Sequence, residues 1–310
     1  MRYLSVSRMS PPFGEPHGEA GGSSMTMLPV PDRCRARIGR TPAVERSAGR
    51  RRWLGWAGAA LVAALMFAMP WSAGLAQAAP TVGPLHGVDV SYPQCGRPLP
   101  TGQAFALVGV NGGTPSTTNP CLATQLAWAA ESTGGTVHDD VQLYVNTANP
   151  AGGRLWPLSG DNHYGPCDGS NSRACAYQYG WDRAHEDATN RGVSHPEQYM
   201  WWLDVEVANS WDYADGGGTR NAAVLEGMTD YFTSIGSRGV GLYSTRAQWD
   251  QIIGNGVDST SSLNGLSNWR PGGSTLADAQ ATCGVAPLTP GGVIELTQYT
   301  TEFDYNFSCI

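Results

Sequence analysis

A single (β/α) TIM-like barrel, regular in its first half and irregular in its second, is the fold the sequence predicts for residues 79–310. Short apolar runs alternate with helix-length amphipathic segments, which is the rhythm of strand–helix–strand units. Acidic residues recur at the predicted C-terminal ends of the strands, where a parallel barrel opens onto one mouth. The segment holds no internal repeat and no linker, and its length suits one domain.

The predicted strands are Leu85–Ser91, Ala104–Asn111, Val141–Asn146, Gln198–Val205, Val240–Ser244, Leu266–Trp269 and Val293–Tyr299. Between them, helical patterning covers Leu122–Ser132, Ala176–Asn190, Thr219–Ser237, Arg246–Ile253 and Thr275–Thr282. Asn119-Pro120 reads as a cap and first-turn proline for the first helix. The stretch from Thr147 to Ser172 is rich in Gly, Pro and Asn and reads as a functional rim. No Gly-x-Gly-x-x-Gly follows the first strand and no phosphate loop occurs, which argues against a nucleotide-binding sheet.

Residues 1–78 read as a leader. Arg50-Arg51-Arg52 precedes an apolar run from Trp53 to Met69, and Ala76-Gln77-Ala78 supplies small residues for cleavage. An uncleaved anchor is the alternative, although the run falls short of the roughly 20 residues a span prefers. Residues 79–310 carry nine arginines against 22 acids, so the body is acidic and unsuited to nucleic acid. With Cys34 in the leader, six cysteines remain, and an even number in an exported chain favours disulfides. Sequential pairing is expected, Cys95 with Cys121, Cys167 with Cys175 and Cys283 with Cys309, each pinning a loop or chain end.

The chemistry centres on Met200-Trp201-Trp202-Leu203-Asp204-Val205-Glu206. In an extended strand Asp204 and Glu206 share one face, with β-carbons roughly 7 Å apart. Like charges that close, among aromatic residues, favour retention of a proton by one of them. A proton donor beside an anion is what cleavage of a glycosidic bond requires. Acids that only hydrogen-bond a neighbouring loop are the alternative. Asp89, in Gly87-Val88-Asp89-Val90-Ser91, and Asp304, in Phe303-Asp304-Tyr305-Asn306, stand at other ends of the same rhythm.

Gly87–Ser91, Asp204–Glu206, Gln298-Tyr299 and Asp304–Asn306, in that order, resemble the motifs of the family 25 glycoside hydrolases, the muramidases of bacteria and phages, or a distant branch of that barrel superfamily. Gly241-Leu242-Tyr243-Ser244 is similar to the family's fifth strand and Trp269 to its sixth-strand tryptophan. The chain departs from the pattern in three places. Val110-Asn111-Gly112-Gly113 replaces a polar second-strand end, Val145-Asn146 replaces an aromatic-His pair, and Thr297 stands where a tryptophan precedes Gln-Tyr. The resemblance implies Glu206 as general acid. Asp204 would be the ionised group that stabilises charge at the sugar or orients an N-acetyl group, with Asp89 beside them. For Asp89 the alternative is a salt bridge to an arginine such as Arg97, and for Asp304 a cap on the terminal loop.

Tyr144, Tyr243, Trp269 and Tyr299 stand at strand ends and are candidate sugar-stacking faces together with Asp304 and Gln298. Trp156 and Trp211 are candidate lids. No Gly-x-Ser-x-Gly elbow and no His-x-x-x-His spacing occurs, so neither a serine hydrolase nor a zinc site is indicated, and no cofactor or metal is expected. The expectation is a secreted or wall-associated monomer, without stable membrane insertion once the leader is removed. It would cleave peptidoglycan or a related N-acetyl-sugar glycan. The rival is a sugar- or wall-binding barrel without turnover.

Overall fold

The computed structural model describes residues 81–310 apart from Pro84. The expected leader, its export signal, Cys34 and the cleavage position after Ala78 lie outside the described residues. Ten strands and five α-helices follow in chain order: β1 (His86–Val90), β2 (Phe105–Gly109), α1 (Leu122–Ala129), β3 (Val141–Asn146), β4 (Asp161–Asn162), β5 (Gly165–Pro166), α2 (Arg173–Asn190), β6 (Met200–Asp204), α3 (Gly217–Ser234), β7 (Gly239–Tyr243), α4 (Arg246–Ile252), β8 (Ser267–Gly273), α5 (Leu276–Thr282), β9 (Val293–Thr300) and β10 (Asp304–Ser308). Eight strands close into a barrel in the order β1-β10-β9-β8-β7-β6-β3-β2, and β4 and β5 form a separate hairpin.

The barrel is mixed, which corrects the expected arrangement at two points. β10 runs antiparallel to both β1 and β9, whereas the other neighbouring pairs are parallel. Only a single 3-10 turn, Tyr92–Gln94, lies between β1 and β2 where a strand–helix–strand unit would place an α-helix, so the first half is less regular than the expected fold. The β9–β10 hairpin turns through Thr301-Glu302-Phe303, which contains none of the Gly, Asn or Pro that mark a turn in sequence. A strand following such a turn reads as a tail.

Alternation along the strands sorts two cores. Trp201, Leu203 and Val205 face outward into the larger cluster beneath the helices, and Trp201 stacks on Phe232 of α3 at 4.2 Å. That stack contributes about 1 kcal/mol beyond burial alone. Trp202 faces inward and joins Phe105, Leu107, Trp269 and Leu296 in the barrel's own filling. The lumen is too narrow for bulky side chains on every strand, so large residues oppose glycines. A Cβ on Gly241 would lie 2.2 Å from the Trp202 ring, and one on Gly109 would lie 2.7 Å from that of Tyr144.

Disulfides join Cys95 to Cys121, Cys167 to Cys175 and Cys283 to Cys309, the sequential pattern expected. The third ties the C-terminal end of α5 to the residue after β10, so it holds the reversed strand in the barrel. The first helix starts at Leu122 as expected and ends earlier, at Ala129, and its cap differs. Cys121 is its N-cap residue, while Asn119 bonds the Cys121 N–H and reaches back to the Gly109 carbonyl. The Thr147–Ser172 stretch does not form an open rim throughout, since its hairpin packs on α2 through Asn162 and the Ala174 carbonyl. Among the described residues no helix is long and apolar enough to cross a membrane.

Candidate active site

Asp204 and Tyr243 close β6 and β7, Asp89 is the penultimate residue of β1 at the same end of the barrel, and register places Asp204 beside Asn146 of β3 and Tyr243 of β7. Because β10 is reversed, its first residue reaches that end too, with Asp304 paired against Asp89. Three strands of both directions, β1, β6 and β10, thus deliver carboxyl groups to one mouth. Trp202 and Trp269 lie beneath, and Trp269 packs against both Tyr144 and Tyr243.

Asp89 is 5% exposed and makes no ion pair with Arg97, which instead pairs with Glu302 and lies over Phe303. Its Oδ2 accepts from Gln298 Nε2 at 2.9 Å and Asn306 Nδ2 at 2.8 Å. Burial pushes this carboxyl well above the usual carboxylate range and the Asp304 charge adds to that, while the two amide donors pull it partly back. The Tyr243 hydroxyl donates to Gln298 Oε1 at 2.9 Å, which orients the amide nitrogen toward Asp89.

Asp204 is equally buried. Asn146 Nδ2 donates to its Oδ2 at 2.7 Å, and Thr147 holds its backbone carbonyl through the hydroxyl at 2.6 Å. Its other carboxyl oxygen, Oδ1, is buried and has no hydrogen-bond partner. Burial raises its pKa well above the ordinary value, and the charges of Glu206 and then Asp89 raise it further against the Asn146 bond. An ionised Asp204, expected from the sequence resemblance, is therefore not what burial favours here, since Asp204 is the enclosed member of the pair.

Glu206 stands two residues beyond β6 and is half-buried at the edge of the mouth. Gln248 of α4 sets its environment. That side chain accepts the Val207 N–H at 2.7 Å and turns its Nε2 toward Glu206 Oε1 at 3.4 Å. Trp211 Nε1 donates to the Glu206 carbonyl at 2.8 Å. Trp211 and Trp156 are both buried, Trp156 stacking on Tyr179, so neither is the lid expected of it. Asp304 is half-buried, and Thr300 Oγ1 bonds its Oδ1 at 2.6 Å across the hairpin.

Tyr144 and Tyr243 sit between the acids. Burial pushes both phenols upward, and the charges of Asp89, Asp204 and Asp304 act on each of them in the same direction. Both hydroxyls therefore stay protonated as donors. Tyr299 does not join them. It follows inward-facing Gln298, so its ring points to the outer surface and stacks on Tyr305 at 5.4 Å. Adjacent residues of one strand cannot both line the lumen, which corrects the pairing of Gln298 with Tyr299. Trp269 is 2% exposed and forms floor rather than an open stacking face.

Asn146 and Asn306 emerge as ligands of the two buried acids, and neither was singled out from sequence as a site residue. Their signal was present, since each is the polar member of an alternating strand end. Among the described residues no group of three or more His, Cys, Asp and Glu side chains is placed to hold a metal ion.

No protein-family model and no curated protein matches the chain. Solved structures similar to it include a muramidase from Trichobolus zukalii, at 15% identity over 72% of this chain and 93% of that one, with a TM-score of 0.45. A lysozyme from Streptomyces coelicolor matches at 13% identity over 73% and 93%, TM-score 0.43, and a family 25 lysozyme from Aspergillus fumigatus at 13% over 72% and 92%, TM-score 0.42. These three solved structures are a muramidase and two lysozymes, one of them described as a family 25 lysozyme.

Proposed function

We propose that this chain is a glycoside hydrolase that cleaves peptidoglycan or a related N-acetyl-sugar glycan. The observation that carries the reading is Asp204, buried at a barrel mouth with one oxygen held by Asn146, the other unpartnered, and the charges of Glu206 and Asp89 acting on it. A carboxyl pushed by burial toward its protonated form beside a second carboxyl is the pairing that glycosidic cleavage uses. The barrel itself is read as a (β/α) TIM-type barrel whose last strand has turned back.

Glu206, at the solvent edge, protonates the leaving oxygen as the bond from the anomeric carbon breaks. For this step the proton lies on Glu206: when the N-acetyl N–H of bound substrate donates to the free Oδ1 of Asp204, that bond favours the ionised form of Asp204, its proton passes to Glu206, and the acetyl carbonyl is directed onto the anomeric carbon. Water opens that intermediate and returns a proton to Glu206. Asp89 and Asp304 stand beside the pair at the same mouth, while Tyr144 and Tyr243 offer donors and ring faces to sugar hydroxyls. The enzyme acts outside the cell, free or on the wall, as a monomer. Three disulfides support an oxidising compartment.

Counting new reducing ends released from purified cell walls tests this, because peptide-bond cleavage creates none. Wild type should release them and Glu206→Gln should fall at least about 100-fold. Wild type releasing none above background would exclude the hydrolase and leave a wall-binding barrel, detectable by sugar-dependent tryptophan fluorescence, and equal non-zero rates would exclude Glu206 as the acid.

A further inference from the structure

We propose that Asp187, on helix α2 outside the barrel, is a positioning residue for Asp204, acting through Asn111 and Asn146. The proposal rests on the function proposed above and deepens it.

Asp187 is fully buried on the face of α2 that meets the end of β2. Its Oδ1 accepts from Asn111 Nδ2 at 2.8 Å and from Arg191 Nε at 3.1 Å. Both of these donors meet Oδ1, while Oδ2 is buried without a partner, so any proton the carboxyl holds sits on Oδ2 and Oδ1 accepts in either protonation state; it thereby compels the Asn111 amide to turn its nitrogen toward α2 and its oxygen toward β3. That oxygen accepts the backbone N–H of Asn146 at 2.8 Å, at the last residue of β3. With its backbone held there, Asn146 reaches Asp204 Oδ2 at 2.7 Å. Four side chains and one backbone amide thus run unbroken from an outer helix to the mouth.

The far end of the relay is anchored as firmly. Arg191 also bonds Thr118 Oγ1, the Pro115 carbonyl and Glu186, so it fixes the loop that leaves β2. Asn111 spends its second amide hydrogen on the Thr117 carbonyl at 3.2 Å, which leaves its amide no alternative orientation. The consequence at the mouth is chemical. With Oδ2 of Asp204 occupied by Asn146, only Oδ1 remains to hold a proton or a substrate donor. Asn111 and Asn146 are also the positions where the second and third strands depart from the family 25 pattern, so this chain supports its central acid by its own arrangement.

The test is a double-mutant cycle on reducing-end release. Asp187→Asn removes the acceptor-only constraint, and Asn146→Ala removes the final contact. Each alone should lower kcat about tenfold with KM changed less than about twofold, and the double variant should lose no more than the worse single one. Losses that multiply, or a change in KM alone, would overturn the relay. If Asp187→Asn does not fold, Asn111→Thr takes its place in the same cycle. Carbon-13 titration of the Asp204 carboxyl in the free protein provides a readout independent of turnover. The relay requires its midpoint to rise in both single variants, because the Asn146 bond pulls it down, and an unmoved midpoint in Asp187→Asn would overturn it. A wild type without turnover but with that rise would defeat the proposed hydrolase and leave the relay standing.

Discussion

Gln298 and Asp89, 209 residues apart in the chain, meet across the reversed strand at the closing seam of the barrel, where the amide of one donates to the carboxyl of the other at 2.9 Å. Neither strand borders the other, since β10 lies between β1 and β9. The bond therefore spans β10, and Asn306 of that strand completes it from within at 2.8 Å.

Replacing Gln298 by Leu should therefore act on two partners. Asp89 would keep one amide donor of two, and the Tyr243 hydroxyl would lose its acceptor inside a buried site. Urea unfolding should show a loss of about 1–3 kcal/mol, the cost of stranding such groups. A variant as stable as wild type would mean that the two partners find other bonds.

A methyl group at Gly241 meets the Trp202 ring at 2.2 Å, and both sit inside the closed lumen where neither can retreat. Gly241→Ala should cost about 1–3 kcal/mol by overpacking, read from the urea midpoint. Unchanged stability would contradict the opposed large and small residues described for the lumen.

Stability should rise as pH falls from about 8 to about 6.5, contrary to ordinary acid denaturation. Burial pushes Asp187 up to about 7, against the partial opposition of Asn111 and Arg191. The folded state therefore keeps a proton that the unfolded chain has released. That contribution is complete below the ordinary carboxylate value of 3.8 and is lost as pH rises through about 7. Asp89 and Asp204, also raised, act in the same direction. His86 and His138, lowered by burial, oppose them only below 6.5. Thermal melts should show the rise, worth up to about 1.4 kcal/mol per pH unit for each proton taken up, and Asp187→Asn should reduce it by the Asp187 share, leaving that of Asp89 and Asp204. A flat wild-type profile would contradict the burial argument.

Removing the third disulfide by Cys283→Ser with Cys309→Ser opens a loop of 26 residues at the end of β10. The expected loss is about 3 kcal/mol. Hydrogen exchange should rise first in Asp304–Ser308, since β10 is the strand that the bridge restrains. Uniform exchange across the barrel would contradict that placement.

The sequence revealed the parallel strands well because their apolar runs are bounded by polar ends, and all seven strands expected from them are present in the barrel. β10 escaped notice because Asp304-Tyr305-Asn306-Phe307-Ser308 follows a turn with no turn residue, although its alternation already marked one polar and one apolar face. Asp89, Asp204, Glu206 and Asp304 were visible as acids at strand ends. Their supports were not. Asn111 and Asp187 meet only after α2 has folded back onto the sheet, and nothing local in either segment encodes that contact. Tyr299 shows the converse error, in which a motif quoted as a unit concealed strand alternation that sends its second residue outward.

The coupling between Asp204 and Glu206 is tested most directly by following the Asp204 carboxyl by carbon-13 titration in the wild type and in Glu206→Gln. Because the Glu206 charge pushes Asp204 upward, removing it should lower the Asp204 midpoint while leaving it above the ordinary carboxylate value, since burial remains. A midpoint identical in the two proteins, or an ordinary value in the wild type, would mean that the two acids do not share one site.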